Sequence, residues 1–334
     1  MKIQESLFEN NNALNGGALY FNIDDRNTQN QYQNEIEILN TKFINNKAEY
    51  LGGAIYSNFY SSTILKLINS NFIDNKAYAG GAIYIHKDYE SNELKSISSY
   101  YVNLFNKSKF LNNISISHGN DYASNPCIIN LISPLLNKFT VKNGDDFPME
   151  FNLIDMFNQT VQDVSKYYSN IMLSLIDSNM LSNADVKITG NSCAFSRGKY
   201  IYIYIFWCYN SYNNNYIIKL GKCILQNFKI FSLHPLNINL NLTLENINNI
   251  RINNETLLMN IKDCDNDQIK IYNKNGFYHC ENPICRSDCP VLNKTAICIK
   301  GDQDNINNIF SNECQCLPGW IGDKCQNKIF AEMK

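Results

Sequence analysis

The sequence predicts an all-β protein in three parts. A parallel, right-handed β-helix is predicted over residues 1–125, a β-sandwich over residues 136–258, and a small disulfide-rich module over residues 264–326. Three observations predict this order. A motif recurs near the start with a period of roughly thirty residues, which is typical of stacked repeats. Short alternating segments bounded by turn residues follow, and cysteines crowd into the last quarter of the chain.

The repeat in the first part has four copies, and the fourth is degenerate. Each copy has a Phe followed three residues later by an Asn, and the first three copies continue into a Gly-Gly-Ala sequence and an apolar segment. The fourth copy reaches only His118-Gly119-Asn120. The repeat positions are Phe8, Phe43, Phe72 and Phe110; Asn11, Asn46, Asn75 and Asn113; and the pairs Gly16 and Gly17, Gly52 and Gly53, and Gly80 and Gly81.

Stacked coils convert equivalent positions into ladders, because each coil buries its apolar side against the next. We expect Phe43 and Phe72 to be buried one above the other, with Asn46 above Asn75 in an amide ladder at a bend. The second glycine of each pair, as at Gly81, should sit where a Cβ would clash. A helical array of the ankyrin type is the alternative, but no amphipathic period of 3.6 residues runs through the repeats.

The alternation of Phe-x-Asn-Asn or Phe-x-Asp-Asn with Gly-Gly-Ala resembles the repeats of the polymorphic outer-membrane proteins of chlamydiae. Similar repeats occur in large surface proteins of ciliates. The resemblance covers residues 1–125. It implies a β-helix that is exposed at a cell surface and used for adhesion, and it implies no catalytic residues.

The middle part has a different pattern, and Pro126 and Cys127 mark its boundary with the repeats. Strands are predicted around the turn at 143–145 and over 149–155, 158–161, 185–189, 200–208 and 216–220. The sequence Asn-Gly-Asp-x-Phe at 143–147, together with residues 155–161, is similar to immunoglobulin-like domains of the filamin and bacterial surface type. We interpret the Tyr/Ile alternation at 200–206 as core or sheet surface rather than a ligand face, since such residues are simply good strand formers.

The cysteine-rich part ends in Cys-x-Cys, then Gly-Trp, then a glycine shortly before the last Cys. This order resembles the closing half of an EGF-like domain, although the spacings upstream depart from that family. The resemblance implies three disulfides and leaves one further pair. The expected pairs are Cys316 with Cys325, Cys289 with Cys314, Cys285 with Cys298, and Cys264 with Cys280.

The same segment contains acidic residues and cysteines that could in principle bind calcium or zinc. The acidic residues at 263, 265 and 267 lie too far upstream of the EGF-like cysteines for the calcium-binding variant. His279, Cys280, Cys285 and Cys289 are a possible set of zinc ligands. No Cys-x₂-Cys pair is present, so we favour disulfides over zinc.

Twelve cysteines, eight of them in the last quarter, indicate an oxidising compartment. Six Asn-x-Ser/Thr sequons are compatible with secretion and with a glycoprotein, at Asn106, Asn113, Asn158, Asn241, Asn254 and Asn293. The chain shows neither the apolar region of a signal peptide nor a run of apolar residues long enough to span a membrane. We therefore expect a fragment of an extracellular or cell-surface protein, anchored in a membrane by a segment outside this chain.

A formal net charge of −2 gives no reason to expect nucleic acid as a partner. β-Helical pectate lyases and polygalacturonases use clustered Asp residues, whereas Glu9 and Asp74 stand singly and the four histidines have no motif around them. His118 is interpreted as a loop residue. We expect no catalytic residue, metal or cofactor.

The prediction is a non-enzymatic module that binds a protein or glycan in adhesion or recognition. The alternative is a carbohydrate-active, pectin-lyase-like β-helix whose catalytic coils lie outside this chain.

Overall fold

The computed structural model describes residues 1–23, 35–59, 64–86, 105, 107–134, 138–162, 171–178, 185–195, 221–245, 250–302 and 305–329. The elements assigned in these residues are β-strands, which confirms the all-β prediction. None of the described residues belongs to a helix that is both long and apolar enough to cross a membrane. The segments 200–208 and 216–220 and the sequon at Asn106, all discussed above, lie outside the described residues.

Four coils form a parallel β-helix at the start of the chain. Coil 1 contains β1 (Lys2–Gln4), β2 (Leu7–Glu9), β3 (Asn12–Asn15) and β4 (Leu19–Ile23). Coil 2 contains β5 (Glu35–Leu39), β6 (Lys42–Ile44), β7 (Lys47–Leu51) and β8 (Ile55–Phe59). Coil 3 contains β9 (Ile64–Ile68), β10 (Asn71–Ile73), β11 (Lys76–Ala77) and β12 (Ile83–His86). Coil 4 contributes β13 (Lys109–Leu111), β14 (Ile114–Ser115) and β15 (Tyr122–Ser124).

Equivalent strands of successive coils pair in parallel and make four sheets. Sheet A has the order β1-β5-β9, sheet B β13-β10-β6-β2, sheet C β14-β11-β7-β3 and sheet D β15-β12-β8-β4. Alternation decides which side chains face inward. In β5 and β9, Ile36, Ile38, Leu65 and Leu67 are buried, while Lys66 faces outward.

A β-sandwich follows. Its first sheet, E, contains β16 (Pro126–Ser133), β18 (Met149–Asp155), β22 (Lys222–Leu225) and β25 (Arg251–Ile252). Its second sheet, F, contains β17 (Lys138–Lys142), β19 (Met172–Asp177), β21 (Ser192–Ala194), β24 (Leu236–Glu245) and β26 (Thr256–Lys262). A separate pair joins β20 (Val186–Thr189) to β23 (Lys229–Ser232).

The two large sheets share one core, in which Phe151 and Leu153 of sheet E pack with Leu240 and Met259 of sheet F. The Cys193–Cys223 disulfide joins β21 of sheet F to β22 of sheet E. The sandwich extends further than the sequence suggests. It begins with β16, ten residues before the predicted start at 136, and it continues through β26 to Lys262. The segment predicted as a strand at 158–161 makes only an isolated bridge, from Thr160 to Ile154.

Three hairpins make up the C-terminal part. They are β27 (Ile269–Tyr272) with β28 (Tyr278–Glu281), β29 (Ala296–Ile299) with β30 (Glu313–Cys316), and β31 (Trp320–Ile321) with β32 (Asn327–Lys328). The four disulfides of this part join Cys264 to Cys280, Cys285 to Cys298, Cys289 to Cys314, and Cys316 to Cys325. Few side chains are buried between such short strands, so the disulfides restrict the unfolded chain in place of a large core.

Candidate functional site

The phenylalanines of the repeat form a continuous stack inside the β-helix. The ring centroids of Phe8 and Phe43 lie 5.1 Å apart, those of Phe43 and Phe72 4.8 Å, and those of Phe72 and Phe110 5.0 Å. The planes of neighbouring rings differ by at most 8°. Phe43 and Phe72 are fully buried, while Phe8 and Phe110 at the two ends of the stack are half-buried.

The asparagines form a second ladder at the bend between sheets B and C. Asn11, Asn46 and Asn75 each donate the backbone N–H and one side-chain N–H to the Oδ1 of the Asn in the next coil, and Asn113 is the last acceptor. The other side-chain N–H of Asn75 donates to the carbonyl oxygen of Phe43 at 3.0 Å. These bonds satisfy buried backbone groups that the bend would otherwise leave unpaired.

The glycine pairs occupy tight corners before sheet D. The first glycine of each pair has a positive φ, as at Gly80 (64°), which favours a residue without a Cβ. The second glycine lies against the next coil. A Cβ on Gly53 would clash with the carbonyl oxygen of Gly81, and one on Gly81 with that of Asn120. Gly16, Gly17 and Gly52 follow the same pattern.

A buried polar cluster lies where coil 4 meets the sandwich. The His118 Nδ1 accepts from the Ser117 hydroxyl at 2.9 Å, and its Nε2 donates to the carbonyl oxygen of Ser124 at 3.0 Å. Asp155, at the end of β18, accepts backbone N–H groups from Ser124, Phe157 and Gln159 and the side-chain N–H of Gln159. His118 Nε2 and Asp155 Oδ2 are 3.9 Å apart. The cluster therefore connects the last coil to the first strands of the sandwich.

Burial shifts the pKa values of His118 and Asp155 in opposite directions. It lowers the pKa of His118 to about 4. It raises the pKa of Asp155 to about 7, against the opposing effect of its hydrogen-bond donors. Burial, with a smaller effect from Asp155, also raises the pKa of the buried Cys127 thiol to about 12. His118 lies in a bend, as predicted for a loop residue, but it is buried rather than exposed.

An open groove lies beside this cluster. Its volume is about 390 Å³, and it is lined by Asn120, Asp121, Tyr122, Phe157 and Gln159. The rings of Tyr122 and Phe157 meet edge to face with centroids 4.8 Å apart. The groove is therefore shared between the end of the β-helix and the turn after β18.

Paired carboxylates, which the sequence analysis did not identify, occur on the outer face of sheet A. Glu35 and Glu37 alternate along β5 and lie 4.0 and 3.3 Å from the ammonium of Lys66. Glu35 and Glu37 lie in the strand before Phe43, outside the Phe-to-Asn segment that carries Glu9 and Asp74. Neighbouring strands bring Lys66 of β9 beside Glu37 of β5.

The four residues considered as zinc ligands make other bonds in the structure. Cys280, Cys285 and Cys289 are each in a disulfide, and His279 Nε2 lies 2.9 Å from Glu281 Oε1. Within the described ranges no cluster of three or more His, Cys, Asp or Glu side chains is arranged to hold a metal ion. The four disulfides join the pairs that the EGF-like resemblance implies, and the Cα atoms of Cys316 and Cys325 lie 5.2 Å apart.

Comparison with known proteins finds one family. Residues 40–58 match the model of the Chlamydia polymorphic membrane protein repeat. The matched segment contains Phe43, Asn46, Gly52 and Gly53 of coil 2. No curated protein matches the chain, and no solved structure does.

Proposed function

We propose that this chain is a non-enzymatic, extracellular part of a cell-surface protein, and that it recognises a protein or glycan in adhesion. The observation that carries the proposal is the stack of four coils, of which the second is similar to the Chlamydia polymorphic membrane protein repeat. The side chains that recur in the repeat make contacts within the stack. Phe43, Asn46 and Gly53 hold coils together, so the repeat supplies a rigid scaffold rather than a reaction centre.

Five disulfides support the extracellular location. Such bonds persist in oxidising environments and are rare where thiols are kept reduced. Four of them lie in the C-terminal part, for which we propose an EGF-like character and a role as a spacer between the sandwich and the cell surface. The chain would then display its β-helix away from a membrane.

The proposal is tested with the full chain, produced through a eukaryotic secretory pathway and coupled to fluorescent beads. We expect saturable binding of the beads to epithelial cells, competed by the soluble chain and not by bovine serum albumin. Absence of competed binding on a panel of cell types would contradict adhesion. Among the described cysteines of the same preparation, alkylation followed by peptide mapping should find a free thiol at Cys127 and at no other position.

The alternative stated above places the catalytic coils of a carbohydrate-active β-helix outside this chain. A carbohydrate-active site inside the chain has one observation in its favour, the pair Glu35 and Glu37 beside Lys66. Carboxylate pairs of this kind carry out glycoside hydrolysis in other proteins. Here we propose that the pair is a surface ion pair, because Glu35 and Lys66 are both substantially exposed. Incubation with polygalacturonan should release no reducing ends and no unsaturated product. Release that disappears in the double variant Glu35→Gln and Glu37→Gln would establish the enzymatic alternative.

A further inference from the structure

The groove between coil 4 and the sandwich contains polar groups that the fold positions but does not fully use. The Oδ1 of Asn120 accepts from the backbone N–H of Ser115 at 3.0 Å and from its hydroxyl at 3.2 Å. The Nδ2 of Asn120 has no hydrogen-bond partner among the described residues. One end of this amide is therefore fixed, and the other is a free donor at the rim of the groove.

Asp121 and Gln159, which supply acceptors to the groove, are also each fixed by a hydrogen bond at one end of the side chain. The Oδ1 of Asp121 accepts from the Nδ2 of Asn113 at 3.1 Å, at the end of the asparagine ladder. The Nε2 of Gln159 donates to the carbonyl oxygen of Tyr122 at 2.9 Å and to Asp155 Oδ2 at 3.2 Å. In the described part of the chain, Asp121 Oδ2 and Gln159 Oε1 are left without donors.

The free groups include both a donor and acceptors, and they belong to residues that line the same groove as two aromatic rings. Asn120 contributes one amide donor, and Asp121 and Gln159 contribute one acceptor each, beside Tyr122 and Phe157. Hydroxyl groups both donate and accept, so a ligand with several adjacent hydroxyls satisfies such a mixed set, and its C–H faces pack on the rings. The volume of about 390 Å³ is at the small end of ligand pockets. Asp121 supplies the only formal charge among the lining residues, which disfavours an anionic ligand.

We propose that this groove binds a neutral, hydroxyl-rich saccharide unit at the end of a glycan. The site is preorganised, because Asn120, Asp121 and Gln159 are each fixed by another hydrogen bond before any ligand arrives. The inference rests on the proposed role in surface recognition and assigns the glycan-binding part of it to a named site. Neither coil 4 nor the sandwich forms the site alone, since Phe157 and Gln159 come from the turn after β18.

Two isosteric variants test the site. Asn120→Asp keeps the acceptor for Ser115 and removes the free donor, while Asp121→Asn keeps an acceptor for Asn113 and replaces the free Oδ2 acceptor by an amide donor. Asn10→Asp is the matched control. Asn10 is exposed on coil 1, its equivalent in coil 3 is Asp74, and both have a positive φ.

The full chain is applied to a printed array of neutral and sialylated glycans, and the best neutral hits are titrated as free mono- and disaccharides by saturation-transfer NMR. We expect binding to neutral termini, lost on sialylation, with a dissociation constant at least tenfold higher in Asn120→Asp and in Asp121→Asn and unchanged in Asn10→Asp. Thermal melting of all three variants checks that they fold.

Three results would overturn the inference: no glycan bound by the wild-type chain, a preference for sialylated termini, or binding that both groove variants retain. These results are distinct from a failure of adhesion. If the beads bind cells and the groove variants bind equally well, the adhesive role stands and the contact surface lies elsewhere. If the wild-type chain binds neither cells nor glycans, both proposals fail.

Discussion

The Oδ1 of Asn75 accepts two hydrogen bonds from Asn46 in the preceding coil, one from its backbone N–H at 3.0 Å and one from its Nδ2 at 3.1 Å. Both residues are completely buried. The remaining N–H of each side chain donates to a phenylalanine carbonyl one coil earlier. A single residue type therefore joins the polar bend to the aromatic stack, because the carbonyl groups it satisfies belong to the stacked Phe residues.

Replacement of Asn75 by Ala should strongly destabilise the β-helix. It removes the partners of the Asn46 amide and of the Phe43 carbonyl, and each buried group left unsatisfied costs about 1–3 kcal/mol. We expect a loss on the order of 3 kcal/mol in the free energy of unfolding, measured by urea denaturation. Lys76→Ala, at the next and exposed position, is the control and should change it by less than about 0.5 kcal/mol. Equal effects of the two changes would contradict the ladder.

The position of a phenylalanine in the stack should determine how much it contributes to the free energy of unfolding. Phe72 packs between two rings and is fully buried, so Phe72→Ala should cost about 3–5 kcal/mol in unfolding free energy. Phe8 stacks on one ring only and is half-buried, so Phe8→Ala should cost clearly less. A comparable loss at both positions, in the same denaturation experiment, would show that the stack does not dominate the core.

The glycine corner should not accept a side chain at Gly81. A Cβ there would meet the carbonyl oxygen of Asn120 and the backbone of Ile114, neither of which is a flexible side-chain end. Gly81→Val should therefore abolish cooperative unfolding of the β-helix, as observed by circular dichroism during heating. Gly319→Ala is a useful comparison, because no atom lies within 4 Å of the added Cβ. Its φ of 90° strains an Ala locally in the C-terminal part, so the change should leave the transition of the β-helix in place.

The His118 and Asp155 pair should give opposite pH dependences when either member is removed. The folded pKa of His118 is about 4, below the ordinary 6.5, so His118 destabilises the fold as the pH falls from 6.5 to 4. The folded pKa of Asp155 is about 7, above the ordinary 3.8, so Asp155 destabilises the fold as the pH rises from 3.8 to 7. Each contributes a slope of up to about 1.4 kcal/mol per pH unit, and in the wild type the two largely cancel.

Two variants separate these slopes. In Asp155→Asn, unfolding free energy should fall between pH 6.5 and pH 4, while in His118→Gln it should rise over the same interval. Chemical denaturation at half-unit steps of pH measures both, and the exposed His234→Gln provides the control for an unburied histidine. Parallel curves for the two variants would show that His118 and Asp155 titrate in the folded chain as they do in the unfolded one.

The described sequons should differ in glycan occupancy. Asn113 is buried, and both hydrogens of its Nδ2 are used, toward Phe72 and Asp121, so a glycan attached there is incompatible with the ladder. Asn158, Asn254 and Asn293 are exposed. In protein secreted from eukaryotic cells, glycopeptide mass spectrometry should find glycan on exposed sequons and none on Asn113. Ser115→Ala removes the sequon without changing Asn113, and it should raise or preserve the secreted yield. Folded, secreted chain with glycan on Asn113 would contradict the ladder.

Much of the β-helix and the C-terminal pairing follows from the sequence, because the information is local or periodic. The offset of three residues between Phe and Asn is the same in every copy of the repeat, so aligning the copies on these two positions identifies Phe43 as the partner of Phe72. The C-terminal cysteines that pair are close in sequence, with separations of 9 to 25 residues, and the pairs agree with those that the EGF-like resemblance of the closing segment implies.

Only the tertiary structure decided the contacts between segments that share no period. Cys193 and Cys223 join opposite sheets of the sandwich, and nothing in their spacing selects that pair from the four cysteines of the middle part. Asp155 meets His118, and Gln159 meets Tyr122, because the turn after β18 packs against coil 4. Such contacts depend on how separately formed layers pack together. A repeat determines the structure of its own coils, but it contains no information about which surface of another domain will cover the last of them.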